Sequence, residues 1–215
     1  MARVVALIDY GSGNLRSAEK ALRRAAAGLA HTPTIVTTND HDTIATADAV
    51  VLPGVGAFSA CMKALAGARG ALTALEEAVR RRGAPFLGIC VGMQLMASRG
   101  LEFGETAGLG WIAGDVARLT PDGPRHKVPH VGWNATDFAP GAALFAGLPH
   151  KVDMYFTHSF AFAAADPDDV AAWTDHGGLF ASAVMRGNLA GVQFHPEKSQ
   201  AAGLALLANF LEWRP

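Results

Sequence analysis

The sequence predicts an α/β fold: an open, mostly parallel sheet with helices on both faces, and mixed strands in the C-terminal half. Over the first half of the 215 residues, short apolar runs alternate with helix-like segments. Such alternation is typical of strand–helix–strand units and a parallel sheet. From about residue 104, glycine and proline become frequent and short strand-like runs follow one another, which indicates antiparallel or mixed pairing.

Composition favours a compact protein. Half of the residues are hydrophobic, 17% are charged, and the formal net charge is -1. This argues against disorder and against binding of nucleic acid or an anionic membrane through overall charge. We expect a single domain, residues 1–215, because no linker, repeat or low-complexity tract divides the chain. No segment approaches the roughly 18 apolar residues of a membrane span. Two cysteines do not make a disulfide framework, and a cytoplasmic location is expected.

Four strands buried on both faces are predicted in the first half of the chain. They are VVALI (4–8), PTIV (33–36), AVVLP (49–53) and PFLGI (85–89). Helical spacing marks 15–26 and the long stretch 60–82 between them. Right-handed crossovers place the carboxyl ends of such strands along one edge, where ligands bind in open α/β sheets. That edge would carry DYGSGN, PGVGAF and Cys90.

The second half predicts shorter elements. Strands are expected within GDVARL (114–119), KVDMYFTHSF (151–160) and LAGVQF (189–194), and a closing helix over 201–213. These runs are short and separated by glycine and proline, which is typical of antiparallel or mixed pairing.

The stretch GICVGMQ indicates a nucleophile at Cys90. In G-x-C-x-G, small residues on both flanks let a strand and the following helix approach closely, and the side chain projects from a sharp turn. The N-terminus of the following helix would favour the thiolate. Cys61 lies within a helix-like run and is expected to be an ordinary buried cysteine.

A base and its partner are predicted in GVQFHPEKS. Pro196 holds His195 extended, and residues two apart in an extended chain face the same side. Glu197 can therefore fix the tautomer of the His195 ring, while the ring activates the cysteine.

An oxyanion site is predicted from PGVG after the third strand. Glycines on both sides of Val55 let its backbone N–H turn toward a developing negative charge. The amide of Val91, directly after the nucleophile, would be the second donor.

Other chemistries find less support. DYGSGN lacks the third glycine of a dinucleotide fingerprint. His126 and His130 lie four apart in a proline-containing loop without the glutamate of a zinc-binding helix. Ser98, Ser159 and Ser182 have no G-x-S-x-G context.

Together, PGVGAF, GICVGMQ and GVQFHPEKS resemble the class I (triad) glutamine amidotransferases, in the family's order. IDYGSGN, KVPHVGWN and YFTHSF are, in addition, similar to the glutaminase subunits of imidazole glycerol phosphate synthase. The resemblance implies that Cys90 attacks the side-chain carboxamide of glutamine, with His195 as proton relay and Glu197 as its orienting group. It also implies glutamine contacts from Gly56, Gln94, Glu102, Ser159 and Phe160.

The resemblance further implies a partner and the face that meets it. The partner is the cyclase subunit of imidazole glycerol phosphate synthase, which would form a heterodimer with this chain and use the ammonia released from glutamine. The residues expected toward that interface are Ser12, Asn14, Trp133, Tyr155 and Lys198. No cofactor and no metal are implied. Phe160 stands where a tyrosine is common, so only its backbone role carries over.

Three alternatives remain open at the level of sequence. The chain could serve another partner, such as the pyridoxal phosphate synthase subunit or an anthranilate synthase component, although KVPHVGWN and YFTHSF argue against both. It could be a stand-alone cysteine hydrolase, which H-P-E after the last strand fits poorly. It could also be an inactive docking module, against which the intact set of Cys90, His195 and Glu197 argues.

Overall fold

The computed structural model describes residues 3–11 and 14–215. Its main sheet has nine strands in the order β2-β1-β3-β4-β13-β12-β11-β8-β9. The strands of this sheet are β1 Val4–Ile8, β2 Thr34–Thr38, β3 Ala49–Gly54, β4 Phe86–Cys90, β8 His130–Phe138, β9 Lys151–His158, β11 Val170–Asp175, β12 Leu179–Arg186 and β13 Leu189–Val192. The remaining four form a second sheet in the order β10-β7-β5-β6: β5 Arg99–Gly100, β6 Thr106–Ala107, β7 Gly114–Arg118 and β10 Phe160–Ala164.

The main sheet is parallel in one half and antiparallel in the other. β2, β1, β3, β4 and β13 pair in parallel, whereas β13, β12, β11, β8 and β9 pair antiparallel. The predicted α/β class with mixed strands in the C-terminal half is confirmed. Half of the strand pairings in this sheet are parallel. The strands from the second half of the chain all lie on one side of β4 and pair antiparallel with one another.

Helices cover the parallel half on two faces. The helices are α1 Leu15–Ala26, α2 His41–Thr46, α3 Phe58–Gly67, α4 Ala71–Leu75, α5 Val91–Gln94 and α6 Gln200–Glu212, with a π-helical segment at Glu76–Arg81. The chain moves from β1 to β2 in one direction and from β3 to β4 in the other, so right-handed crossovers place α1 and α3 on opposite faces. Accordingly α1 packs with α6, and α2 packs with α4.

The long helix predicted over 60–82 is interrupted. α3 ends at Gly67, Ala68 is extended, and Gly70 has a φ of +75° before α4 begins. A left-handed backbone is readily adopted by glycine and breaks an α-helix. The helical spacing of apolar residues persists through the break, which is why the sequence reads as one helix.

The position of β13 organises the functional edge. β13 lies between β4 and β12 and runs parallel to β4, with Val192 opposite Ile89. The carboxyl ends of β3, β4 and β13 therefore meet at one edge of the sheet. Residues far apart in sequence, around 54, 90 and 195, are brought together there.

Buried apolar residues form one contiguous core across the sheet. Cys61 belongs to it, with 1% of its surface exposed, as expected. In the described ranges 3–11 and 14–215, none of the helices has both the length and the apolar character needed to cross a membrane.

Candidate active site

Cys90 sits on a strained turn at the end of β4. Its backbone has φ 54° and ψ -112°, a conformation that non-glycine residues rarely adopt and that is often stored at functional sites. A Cβ added to Gly92 would lie 1.8 Å from the carbonyl oxygen of Leu52, and one on Gly88 would lie 2.5 Å from that of Gly92. The glycines on both sides of Cys90 are therefore required by the close approach of β3, β4 and α5.

The helix after Cys90 is short. α5 ends at Gln94 after a single turn, and the next carbonyls bond across to another segment: Leu95 accepts from the Leu109 amide and Ala97 from the Gly110 amide. A one-turn helix has a smaller dipole than a helix of several turns. The hydrogen-bond partners of the sulfur consequently matter more than the helix end.

His195 lies between Cys90 and Glu197. Its Nδ1 donates to Glu197 Oε1 at 2.8 Å, and the side chains of His195 and Glu197 are 5% and 4% exposed. Cys90 also lies close enough to the His195 ring to act on its pKa. Burial lowers the pKa of His195, but the hydrogen bonds and negative charges of Cys90 and Glu197 outweigh burial and raise the pKa to about 10. The arrangement therefore favours the protonated form of the His195 ring.

The backbone of His195 is fixed by two hydrogen bonds. Its N–H donates to the Tyr155 carbonyl at 2.8 Å, and its carbonyl accepts from Ser199 Oγ at 2.7 Å. Ser199 Oγ in turn accepts from the Tyr155 amide at 3.0 Å. Ser199 is part of GVQFHPEKS but was not predicted, because a buried serine that braces a loop has no periodic signal.

A cavity of about 430 Å³ opens over Cys90. The predicted site residues that line it are Val55, Gly56, Cys90, Val91, Gln94, Glu102, Ser159, Phe160 and His195. Lys198, which was expected at the partner interface, also lines the cavity, and Pro129, Thr157 and His158 complete the wall. Glu197 lies behind His195, where its Oε2 is buried without a hydrogen-bond partner among the described residues.

The end of β3 forms the wall next to Cys90. A Cβ on Gly54 would lie 2.8 Å from the Gly92 amide nitrogen, so the two backbones are in contact. Val55 and Val91 both border the cavity, and Gly56 has a φ of +102°. The Val55 carbonyl accepts a hydrogen bond from Cys61 Sγ at 3.4 Å, which anchors this short segment to α3.

Gln94 connects two walls of the cavity. Its Nε2 donates to the Phe160 carbonyl and to Gln193 Oε1, both at 2.9 Å. Both amide hydrogens are therefore committed within the protein, and Oε1 is the atom with which Gln94 can meet a bound molecule.

Glu102 has a structural partner that sequence reasoning missed. Its Oε2 accepts from the Phe58 amide at 2.8 Å, which caps α3, whose own N-cap residue Ala57 has no side-chain hydrogen bond. Among the described residues, the other carboxylate oxygen of Glu102 has no hydrogen-bond partner and could meet a ligand in the cavity.

The family model for glutamine amidotransferase class-I matches residues 6–213. The chain belongs to this family. Its relatives include the imidazole glycerol phosphate synthase subunit HisH of Caulobacter vibrioides, 59% identical over 99% of this chain and 100% of the relative. The protein of the same name from Rhodospirillum rubrum is 54% identical over 98% of this chain and 99% of the relative.

Solved structures share the fold of this amidotransferase. A glutamine amidotransferase crystal structure superposes with a TM-score of 0.70 at 19% identity, over 96% of this chain and 97% of that one. The PurLQS structure from Thermotoga maritima also gives 0.70, at 20% identity over 98% of both chains. At these identities the likeness concerns the fold alone.

Three of the residues expected at a partner interface cluster in this amidotransferase. The rings of Trp133 and Tyr155 lie 5.8 Å apart, and Lys198 Nζ lies 5.5 Å from the Tyr155 ring centroid. Trp133 is 48% exposed, unusually for a tryptophan. Asn14 is exposed and borders a small cavity beside His195 and Glu197. Ser12 lies outside the described residues.

The amidotransferase also contains polar residues at the site that the sequence did not single out. Gln193 is completely buried and its Nε2 lies 3.6 Å from Cys90 Sγ. His158 Nδ1 donates to the Phe160 carbonyl at 2.9 Å. Gln193 stands in GVQFHPEKS two residues before His195, and that spacing on an extended chain was the signal available.

Proposed function

We propose that this chain is the glutaminase subunit of imidazole glycerol phosphate synthase. It would hydrolyse glutamine to glutamate and ammonia and deliver the ammonia to a cyclase subunit, which forms imidazole glycerol phosphate and aminoimidazole carboxamide ribotide in histidine biosynthesis. The observation that carries the proposal is the buried Cys90–His195–Glu197 array facing a cavity. The HisH name shared by relatives that align along nearly the whole chain supports the choice of partner.

In the first half-reaction, Cys90 Sγ attacks the carboxamide carbon of glutamine. The carbonyl electrons move to the oxygen, which the amides of Val55 and Val91 would stabilise. His195, protonated at rest, gives its proton to the departing nitrogen, so that ammonia leaves and a γ-glutamyl thioester remains. Glu197 holds the Nδ1 side of the ring throughout and stabilises its positive charge.

In the second half-reaction, neutral His195 takes a proton from water as the water attacks the thioester. The C–S bond breaks, glutamate leaves, and the thiolate–imidazolium pair is restored. The substrate would be held by the Gln94 oxygen, the free oxygen of Glu102, and the backbone of Gly56, Ser159 and Phe160.

The partner would dock on the face that carries Asn14, Trp133, Tyr155 and Lys198. Ser12, two residues before Asn14 in the sequence, is proposed to contribute as well. The backbone carbonyl of Tyr155 accepts a hydrogen bond from the His195 amide, so this face is in direct contact with the segment that carries the base. We further propose that residues 1–215 act as one domain, in the cytoplasm, in a one-to-one complex.

The test is glutamate release from glutamine by the chain, with and without an imidazole glycerol phosphate cyclase subunit and its nucleotide ligand. We expect little release by the chain alone and a large increase in the ligand-bound complex. Release that ignores the cyclase would keep the glutaminase and reject the partner. No release under any condition would reject the function.

A further inference from the structure

We propose that Gln193 is a further catalytic residue: its side-chain amide donates a hydrogen bond to the sulfur of Cys90 and favours the attacking thiolate. The proposal rests on the proposed function, in which Cys90 is the nucleophile. Gln193 follows β13 at the edge where β4 ends, and it is completely buried with Nε2 3.6 Å from Cys90 Sγ. Its amide therefore touches the reacting atom itself.

The orientation of the Gln193 amide follows from its neighbours. The Phe160 carbonyl can only accept hydrogen bonds, so the side-chain atom of Gln94 that faces it must be Nε2. The same Nε2 faces Gln193, which must therefore present Oε1 to it. The NH₂ group of Gln193 then points toward Cys90.

A chain of hydrogen bonds continues from the Phe160 carbonyl to the surface. His158 Nδ1 donates to that carbonyl, and His158 Nε2 accepts from His130 Nδ1 at 3.0 Å. His130 Nε2 accepts from Asn134 Nδ2 at 3.3 Å, and the same Nδ2 donates to the Asp175 carbonyl at 2.8 Å. Because the series of hydrogen bonds has a carbonyl acceptor at each end, the orientation of each side-chain amide and the tautomer of each imidazole ring between them are fixed.

This order requires both histidines to be neutral. A second proton on His158 would place two N–H groups against each other, because His130 already donates to it. Burial lowers the pKa of His158 to about 4 and that of His130 to about 3, with neighbouring histidines adding to the effect. The hydrogen-bond chain is therefore intact at neutral pH, and it supports the orientation of Gln94 and through it of Gln193.

A donor aimed at sulfur stabilises the anionic form over the neutral thiol. The titratable groups among the described residues that share the cavity with Cys90 are His195, from the segment after β13, and His158, Lys198 and Glu102 in the wall, with Glu197 behind His195. All of these stay in place when Gln193 alone is changed. A change in sulfur reactivity can then be assigned to the lost amide.

The experiment measures alkylation of Cys90 by iodoacetamide across pH 5–9, with the modified residue identified by mass spectrometry. Gln193→Met keeps the length of the side chain and removes the N–H donor. We expect alkylation at pH 7 to slow by about five- to tenfold, as for loss of one hydrogen bond, and its pH midpoint to move upward. Gln193→Glu replaces the donor with an acceptor and should slow alkylation further.

The matched control is Thr136→Val, which removes a buried hydrogen bond to Thr174 elsewhere in the same sheet. It should leave the rate and the midpoint unchanged. A folded Gln193→Met protein with the wild-type midpoint would overturn the proposal, since a merely structural role would alter stability and not the titration of the sulfur.

A second variant covers the case in which Gln193→Met does not fold. Gln94→Met leaves Cys90 and Gln193 in place but removes the group that fixes the Gln193 amide, and it should slow alkylation by about two- to threefold. An unchanged rate there would count against the proposal. Because alkylation needs neither glutamine nor a cyclase, an absent glutaminase activity with a clear Gln193 effect would reject the proposed function while leaving the contact to sulfur established.

Discussion

The two sides of the cavity are built in different ways. On the nucleophile side, residues 49–56 and 86–94, backbone packs directly on backbone at Gly54, Gly88 and Gly92. On the base side, residues 130–134, 155–160 and 193–199, His195 and its neighbours are held by hydrogen bonds. Steric contact responds to volume, and hydrogen bonds respond to charge and donor number. The nucleophile side should therefore be sensitive to an added methyl group, and the base side to a single proton.

The largest expected effect comes from a change of charge on the base side. Glu197→Gln keeps the size of the side chain but removes the carboxylate that fixes the His195 ring. We expect kcat for glutamine hydrolysis in the cyclase complex to fall by about 10³- to 10⁴-fold with little change in KM, because a wrong tautomer disables the base. Steady-state kinetics at saturating partner measures both parameters.

Glu212→Gln is the control, because it neutralises an exposed carboxylate at the end of α6. Its kcat should equal that of the wild type. The raised pKa of His195 also contributes stability that is complete below pH 6.5 and is lost as pH rises toward about 10. In Glu197→Gln this alkaline loss should be smaller and should be complete at a lower pH, and an unchanged profile would contradict the pairing.

An added methyl group tests the nucleophile side. In Gly92→Ala the new Cβ would lie 1.8 Å from the Leu52 carbonyl oxygen, a backbone atom that cannot move without shifting β3. We expect a loss of about 3 kcal/mol in the free energy of unfolding, at the upper end for overpacked sites. Urea titration followed by circular dichroism measures it.

Gly28→Ala serves as the comparison, since its Cβ would lie 3.7 Å from the nearest atom, the Ala25 carbonyl oxygen, which is an ordinary contact. Its stability should stay within about 0.5 kcal/mol of the wild type. Equal effects of the two substitutions would show that the close approach of Gly92 to Leu52 does not contribute to stability.

The smallest effect per residue concerns acidic pH. His130 and His158 have pKa values lowered to about 3 and about 4 by burial, against 6.5 for an unperturbed ring. Below pH 6.5 the two histidines bind protons in the unfolded chain but stay neutral in the folded protein, so the free energy of unfolding should fall as pH decreases. Between pH 6.5 and 4 we expect about 2 kcal/mol from each histidine, on the scale of 1.4 kcal/mol per unit.

Urea titrations at a series of pH values would measure this slope. His130→Phe removes one of the two rings from the titration and retains the stacking on Phe156, so its slope should be roughly half as steep. His31→Gln, at an exposed position, should leave the slope unchanged. A wild-type slope in His130→Phe would rule out His130 as a source of the acid sensitivity.

The sequence predicted the nucleophile side more completely than the base side. Strands β1 and β3 and the turn around Cys90 were predicted because buried strands and flanking glycines leave a local pattern. Gln193 was missed because its hydrogen bonds join distant segments and a buried amide has no periodicity. His158 was missed because its contact with His130 joins two separate strands. The glutamine and interface roles of Glu102 and Trp133 stay predictions, and only Glu102's cap on α3 is an additional finding.

The break in the helix predicted over 60–82 was missed for a physical reason. Gly70 permits a left-handed backbone but does not require it, and the apolar spacing continues on both sides. The break depends on the packing of α4 against α2. At this contact a Cβ on Gly70 would lie only 2.8 Å from the ring of His41, so the position is restricted to glycine. Such a constraint exists only in the folded protein.

The insertion of β13 beside β4 also sets when the site can exist during synthesis. Gln193 and Cys90 are 103 positions apart in the chain. At about 5–20 residues per second, a ribosome needs roughly 5 to 20 s to synthesise the segment between them. Throughout that interval the nascent chain carries a cysteine with neither its base nor its amide donor. The thiol gains both partners in one late event, when the last strand of the main sheet takes its place.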